Sequence, residues 1–370
     1  MTRAIQIVNS DFGLRNTPGA RAHRIVQTAG ETFCFDVFCR GVARDHGTSA
    51  SVHRVGLGPA LTKLLTAVNI YLSKNNRHKG VRRDVFGTAV SKRLGTLEFP
   101  GLRVVHTWES LPEVIELLRR RHPDVAVIRD ISIEPRWAEH GQPVPPEELA
   151  LFDCFIAPSQ WIADRMMASG VPAEQVAVIP FGVDVTAFHP VDRAHAGRGP
   201  VKVAFTGQLT QRKGIPDLVE AWKRHAPANA ELHLYGRVYP EVREVLRGAE
   251  RHRIILHGFV DVTSILPHHD LYVLPTRREG SAKATYEALA CGLPVITTPN
   301  CGSVVRDGVD GFLVEYGDVE TLGARIAELC ANTERRHEMG RRARERALEY
   351  TWERYGNEVV KLYQRLSGGE

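Results

Sequence analysis

Along this chain, short and nearly all-apolar runs alternate with longer segments whose apolar residues return every three or four positions. In the second half, 201–205, 232–235, 254–256, 271–274, 295–298 and 312–314 are runs of the first kind and read as strands. Between them, 216–224, 240–247, 262–267 and 282–291 read as helices. Strands apolar on both faces and separated by helices are the pattern of a parallel sheet with crossover helices on either side. A fainter copy occupies the first half, with strands at 5–8, 104–106, 125–128, 155–157 and 176–179 and helices at 19–29, 112–121 and 160–169. The segment 180–200, rich in Gly, Pro and small polar residues, has the composition of a join. The prediction is therefore an α/β chain of two doubly wound units. Beyond Glu334 the pattern is helical, and Trp352, Tyr355, Val359, Tyr363 and Leu366 fall near one helical face.

One stretch departs from this alternation. Leu61, Leu64, Leu65, Val68, Tyr71 and Leu72 have the spacing of an amphipathic helix. SKNNRHKGVRR, at 73–83, then carries five basic residues and a histidine with no acid. It reads as a solvated basic loop or as a peripheral contact with an anionic membrane surface through 61–93. Without interleaved aromatic residues it is a poor nucleic-acid site, and no nucleic-acid partner is expected.

Composition narrows the class. A length of 370 residues exceeds what one core usually holds, and 43% hydrophobic with 25% charged residues is an ordinary globular balance. The six cysteines form no C-x-x-C pair and read as reduced thiols. No apolar stretch is long enough to span a bilayer, and no secretory core follows Met1, so a cytoplasmic protein is expected, with the membrane contact peripheral at the inner face. Charge is divided unevenly. Residues 1–100 hold fifteen Lys and Arg against six Asp and Glu, whereas the remainder holds 33 against 37.

Two constellations carry chemistry. In VAFTGQLTQRKGIPDLVEAW, 201–222, a strand ends at Gly207 and the following loop brings Arg212 and Lys213 before a helix. Cations at the C-terminal edge of a parallel sheet are placed to hold a diphosphate, and the lack of G-x-G-x-x-G argues against a dinucleotide site. In REGSAKATYEALACGLPVITTPNCGSVVRDGVDGFLV, 278–314, Glu279 ends a strand and Glu287 sits in the next helix. Gly280 and Ser281 open that helix, where unpaired backbone N–H groups favour phosphate. Carboxylates beside a phosphate cradle can accept from sugar hydroxyls.

These stretches resemble the donor domain of glycosyltransferase family 4, retaining enzymes of the type B architecture. The match runs through Glu279, Gly280, Glu287, Ala288, Ala290, Gly292, Pro294, Val295 and Ile296, then Asp307 to Val314. Upstream, Ser159, Gly182, Val183, Asp184 and Phe188 resemble the family's domain-closing segment, and the terminal YTWERYGNEVVKLYQRL resembles its returning helix. The resemblance implies two Rossmann-like domains facing across a cleft. They would be an acceptor-binding domain at 1–185 and a nucleotide-sugar domain at 186–350, with a helix at 351–370 packing back on the first. It implies transfer of a hexosyl group from a nucleotide-diphosphate sugar, a UDP-sugar before a GDP-sugar, to a glycan, lipid-linked or small-molecule acceptor. A non-hydrolysing sugar-nucleotide epimerase and an inactive sugar-nucleotide-binding protein are the competing readings.

Carried over by position, Lys213, with Arg212, would stabilise the leaving diphosphate, Glu287 would bind ribose and Glu279 the transferred sugar. Gly207 and the backbone of Gly280, Ser281, Ala282 and Lys283 would complete the donor site. No metal or other cofactor is expected. Two departures stand out: Gln208 occupies a place where many members have Arg, and Lys283 replaces an apolar residue. In the first domain the glycine-rich loop is reduced to Gly13 and Gly19. Gly19, His106 and Asp130 are the candidates for the acceptor side, with Arg129 a candidate partner for Asp130.

Overall fold

The computed structural model describes residues 2–12, 18–42, 48, 50–55, 78–191 and 199–368. The chain divides into two compact units. One comprises Met1–Ala157, Ala163–Ile179 and Tyr355–Glu370, and the other Pro158–Ile162 and Pro180–Arg354. The division therefore falls at 179/180, a few residues before the boundary read from the sequence.

The first unit is built on seven parallel strands: β1 Thr2–Phe12, β2 Phe33–Val42, β3 Ser51–Arg54, β4 Leu102–Thr107, β5 Ala126–Asp130, β6 Cys154–Ala157 and β7 Val176–Val178. Their order is β3-β2-β1-β4-β5-β6-β7. The second unit has six: β8 Val201–Thr206, β9 Ala230–Tyr235, β10 Ile254–Gly258, β11 Leu271–Leu274, β12 Val295–Thr297 and β13 Gly311–Leu313, ordered β10-β9-β8-β11-β12-β13. In both, the order reverses beside the first strand, the doubly wound arrangement whose ligands bind outside the carboxyl ends of the strands at the reversal. Ala4, Ile5, Ile7 and Val8 of β1 and all of β11 are buried, as strands covered on both faces require.

Local sequence explains the helices that flank the second sheet. The helix Ile215–His225 has Pro216 and Asp217 in its first turn and Lys223, Arg224 and His225 in its last, matching the helix dipole. Ile215, Leu218, Val219 and Trp222 form its buried stripe, and the Trp222 indole N–H donates to the His252 carbonyl at 2.8 Å. The helix expected at 240–247 is absent. Only a 3-10 turn, Pro240–Val242, forms there, because Val242 and Leu246 alone supply apolar anchors and Gly248 turns left-handed.

Two strands of the first unit, β2 and β3, have no counterpart in the sequence reading. The basic segment is also corrected in part: His78–Arg83 begins the helix His78–Leu94 rather than a loop. The amphipathic pattern at 61–72 and the basic residues up to Arg77 lie outside the described residues. Among the described residues, no helix is long and apolar enough to cross a membrane.

A histidine cluster gives the second unit a built-in acid sensitivity. His269 is buried, donates from Nδ1 to the Ile265 carbonyl at 2.9 Å and accepts from the Tyr235 hydroxyl at Nε2 (3.1 Å). Those bonds satisfy a neutral imidazole. Burial, with Lys202, His233 and His257 nearby, brings His269 down to about 4. The unfolded chain protonates near pH 6.5 while the folded one resists, so this stabilisation is complete above that pH and drains away as pH falls towards 4. Chemical denaturation is expected to show a loss of about 2 kcal/mol from this group between pH 7 and pH 5, which shrinks in His269→Gln. An unchanged pH dependence in that variant would place the acid sensitivity elsewhere.

Candidate functional site

The loops that leave β8 and β11 meet at the strand-order reversal of the second unit. Gly214 makes the meeting possible: its φ is +75°, and a Cβ there would overlap the Pro275 carbonyl. The two loops are then stitched together. The Arg277 N–H donates to the Arg212 carbonyl at 2.8 Å, the Thr276 hydroxyl to the same oxygen at 3.1 Å, and Arg212 Nη1 to the Arg278 carbonyl at 2.8 Å.

This framework brings three predicted residues onto one atom. Lys213 Nζ lies 2.7 Å from Glu279 Oε1, and Arg212 Nη1 also bonds that oxygen. Lys213 and Glu279 are mostly covered, while Arg212 is more open. The result is two cations ordered around one carboxylate, with a net positive charge at the carboxyl end of the sheet. Gln208 stands exposed next to Gly207.

The next loop sets the start of the helix Lys283–Ala290. Ser159 Oγ donates to the Gly280 carbonyl at 2.7 Å, and the Glu279 N–H donates to the Asn300 carbonyl at 2.9 Å. Gly302, at φ +62°, lets this backbone approach, since a Cβ would collide with the Gly280 carbonyl and Ser159. Ser281 is buried; its hydroxyl donates to the Gly302 carbonyl and takes the Tyr286 hydroxyl proton, both at 2.9 Å. Its side chain is thus structural. The Ala282 amide corrects the sequence reading: it donates to the Cys301 carbonyl at 3.2 Å and is not available to a phosphate.

Lys283 and Glu287 stand one turn apart on the same helix face. Burial raises the Glu287 carboxyl above its usual range, and the Lys283 charge partly opposes this. Burial pushes up the Tyr272 hydroxyl, which bonds Thr206 at the end of β8, and the nearby Glu287 charge adds to this. Its carboxylate therefore belongs to the same strand-end region as Arg212, Lys213 and Glu279. Among the described residues, no group of three or more His, Cys, Asp and Glu is arranged to hold a metal.

In the first unit the candidates separate. Gly19 lies buried in the first turn of the helix Pro18–Ala29. His106 and Asp130 are both buried, at 0% and 2% exposure, inside a polar network. Asp130 pairs with Arg21 Nη2 at 2.9 Å and accepts from the Tyr355 hydroxyl at 3.2 Å. Arg129, the expected partner, instead lies over the Phe152 ring. The Tyr363 hydroxyl, 3.5 Å from the Gln6 amide, bonds His106 Nδ1 at 2.7 Å. His106 stacks on Trp108 with ring centroids 4.2 Å apart, and burial lowers its basicity. Neither residue is an acceptor-side surface group: both hold the terminal helix Trp352–Leu366 against the first sheet. The sequence reading missed Arg21 here and took Tyr355 and Tyr363 only as part of the terminal helix's apolar face. The available signal was two tyrosines eight positions apart on one helical face.

Comparison with known proteins agrees with this arrangement. Residues 200–332 match the family model described as glycosyl transferases group 1. The alpha-maltose-1-phosphate synthase of Mycolicibacterium smegmatis is 27% identical over 372 residues, covering 90% of this chain and 91% of that one. The D-inositol 3-phosphate glycosyltransferase of Geodermatophilus obscurus is 31% identical over 239 residues, 54% of this chain and 52% of that protein. Among solved structures, Anabaena HepE in complex with UDP superposes with a TM-score of 0.69 at 15% identity, covering 99% of this chain and 100% of that one.

Proposed function

We propose that this chain, a group 1 glycosyltransferase of the type B fold, moves a hexosyl group with retention from a UDP-sugar to a hydroxyl of a glycan, lipid-linked or small-molecule acceptor. One observation carries the donor assignment: Arg212 and Lys213 converge on Glu279 where β8 and β11 end, with Glu287 in the same region. As the glycosidic bond breaks, negative charge grows on the departing diphosphate. A preordered cation pair stabilises that charge without rearrangement at the moment of reaction. Glu279 keeps the pair in place before the donor arrives and turns its carboxylate towards the transferred sugar. Glu287 accepts from the ribose hydroxyls.

Retention is what the resemblance to glycosyltransferase family 4 implies. In the front-face route, the leaving phosphate oxygen takes the acceptor proton while the acceptor oxygen forms the new bond. No protein nucleophile is then required, and the cation pair takes the electrostatic role without a metal. The choice of UDP draws on the UDP complex of the structurally similar HepE. The excess of basic residues in the first hundred positions favours an anionic acceptor.

A thermal-shift screen of nucleotide sugars, followed by assay of nucleoside-diphosphate release with and without acceptor, tests the reading. Glu287→Ala is expected to weaken donor binding by about tenfold or more, as loss of a ribose-binding carboxylate should. Unchanged donor affinity would remove the ribose assignment, and return of an isomerised donor would favour epimerisation.

A further inference from the structure

A cavity of about 780 Å³ opens on the opposite edge of the same sheet, in the size range of small-molecule sites, roughly 300–1,000 Å³. Asp270, which lines it, immediately precedes β11, and Gly292 lies just ahead of β12. The cavity is therefore at the amino ends of the strands, whereas Lys213 and Glu279 follow their carboxyl ends. One wall is the helix Thr333–Leu348, which presents Arg336, Gly340 and Arg344 in one row and His337, Arg341 and Glu345 in the next. Gly340 keeps the wall close, since a Cβ there would press on the Gly292 carbonyl.

Among the described residues, two guanidiniums in this wall donate only to neutral groups. Arg336 is 6% exposed and donates only to neutral groups, the Leu329 and Cys330 carbonyls at 2.6 and 3.3 Å and Thr333 Oγ1 at 3.4 Å. Its Nε, buried, has no hydrogen-bond partner. Arg344 donates to the carbonyls of Phe188, Ala290 and Val185 at 2.9, 2.8 and 3.1 Å. Among the described residues neither meets a carboxylate within ion-pair distance. Buried charge is costly unless paired, so the buried Arg336, with the half-buried Arg344 beside it, favours a bound anion. Arginine suits phosphate, whose oxygens match its forked donors. Asp270, which accepts from the Lys202 N–H at 2.8 Å, and Glu345, whose Oε2 lies 3.3 Å from Arg342 Nη1, add further carboxylate acceptors that hydroxyl groups can share and a bare anion would not use. Among the described residues that line it there is no Phe, Tyr or Trp, so those residues offer no stacking surface for a nucleobase.

We infer that this cavity binds a hydroxyl-bearing phosphate monoester of the sugar-phosphate class, as a site separate from the donor site. The test is calorimetric titration of the full chain with glucose 6-phosphate while UDP is held in excess to occupy the donor site, with inorganic phosphate and glucose as controls. Glucose 6-phosphate is expected to bind more tightly than inorganic phosphate, and glucose not to bind. Arg336→Gln is expected to weaken binding about tenfold or more. Should that buried change impair folding, Arg341→Glu reverses a charge on the exposed part of the wall and is expected to weaken binding by about as much. Lys213→Ala should leave this binding unchanged. Binding that vanishes in Lys213→Ala but survives Arg341→Glu would assign it to the donor site. Equal affinity for inorganic phosphate would remove the hydroxyl-bearing ligand, and no binding at millimolar concentration would overturn the site.

Discussion

Lys213→Ala is expected to lower kcat/KM for donor turnover by about 10²–10³-fold while changing the stability of the second unit by no more than about 1 kcal/mol. The two halves of this expectation have separate causes. A fixed cation facing a leaving diphosphate acts only when charge develops, so its removal raises the barrier without unfolding anything. In the resting protein Lys213 shares Glu279 with Arg212, and Arg212 is itself anchored to the Arg278 carbonyl. Glu279 therefore keeps a partner after the substitution. The measurement is steady-state release of nucleoside diphosphate beside urea denaturation of the same preparation. Retention of full turnover would move the charge-stabilising role away from this loop. A collapse of stability would mean that Lys213 supports the fold.

Asp130→Ala should have the reverse profile, a loss of about 3–5 kcal/mol of stability from the first unit. Its carboxylate is 2% exposed and faces Arg21, whose side chain is 6% exposed, so the substitution strips a buried guanidinium of the carboxylate beside it. It also removes the acceptor for the buried Tyr355 hydroxyl. Asp130→Asn retains oxygen for that hydroxyl but not the charge and is expected to fall between. Urea denaturation resolves the series. Native stability with selective loss of acceptor turnover would return Asp130 to the substrate-facing surface.

What could be read from the sequence follows how local each signal is. The strands of the second unit were legible because burial on both faces leaves uninterrupted apolar runs. β2 was not, since its apolar positions Phe33, Phe35 and Val37 alternate with Cys34 and Asp36, and Asp36 is made tolerable by His53 at 2.8 Å. Arg212, Lys213, Glu279 and Glu287 were found by motif, but the convergence of Arg212 and Lys213 on Glu279 depends on a glycine, Gly214, packed under another loop. The Ala282 amide was misread for the same reason: its acceptor, Cys301, comes from a different turn. His106 and Asp130 sit at strand ends, where a ligand site and a buried polar network look alike. The distinction came from Arg21, Tyr355 and Tyr363, at sequence separations that no periodicity registers.

Those separations bear on how the chain is made. Tyr355 and Tyr363 complete the polar interior of the first unit, and Gly356 packs so closely on Thr28 that a Cβ would overlap its hydroxyl. During synthesis, everything up to Ile179 leaves the ribosome before its closing segment exists. The long stretch Pro180–Arg354, which holds nearly all of the second unit, is translated in the interval. The contacts that Asp130 and His106 make with Tyr355 and Tyr363 can therefore form only after Pro180–Arg354 has been translated, so the first unit completes its polar interior across the whole of the second.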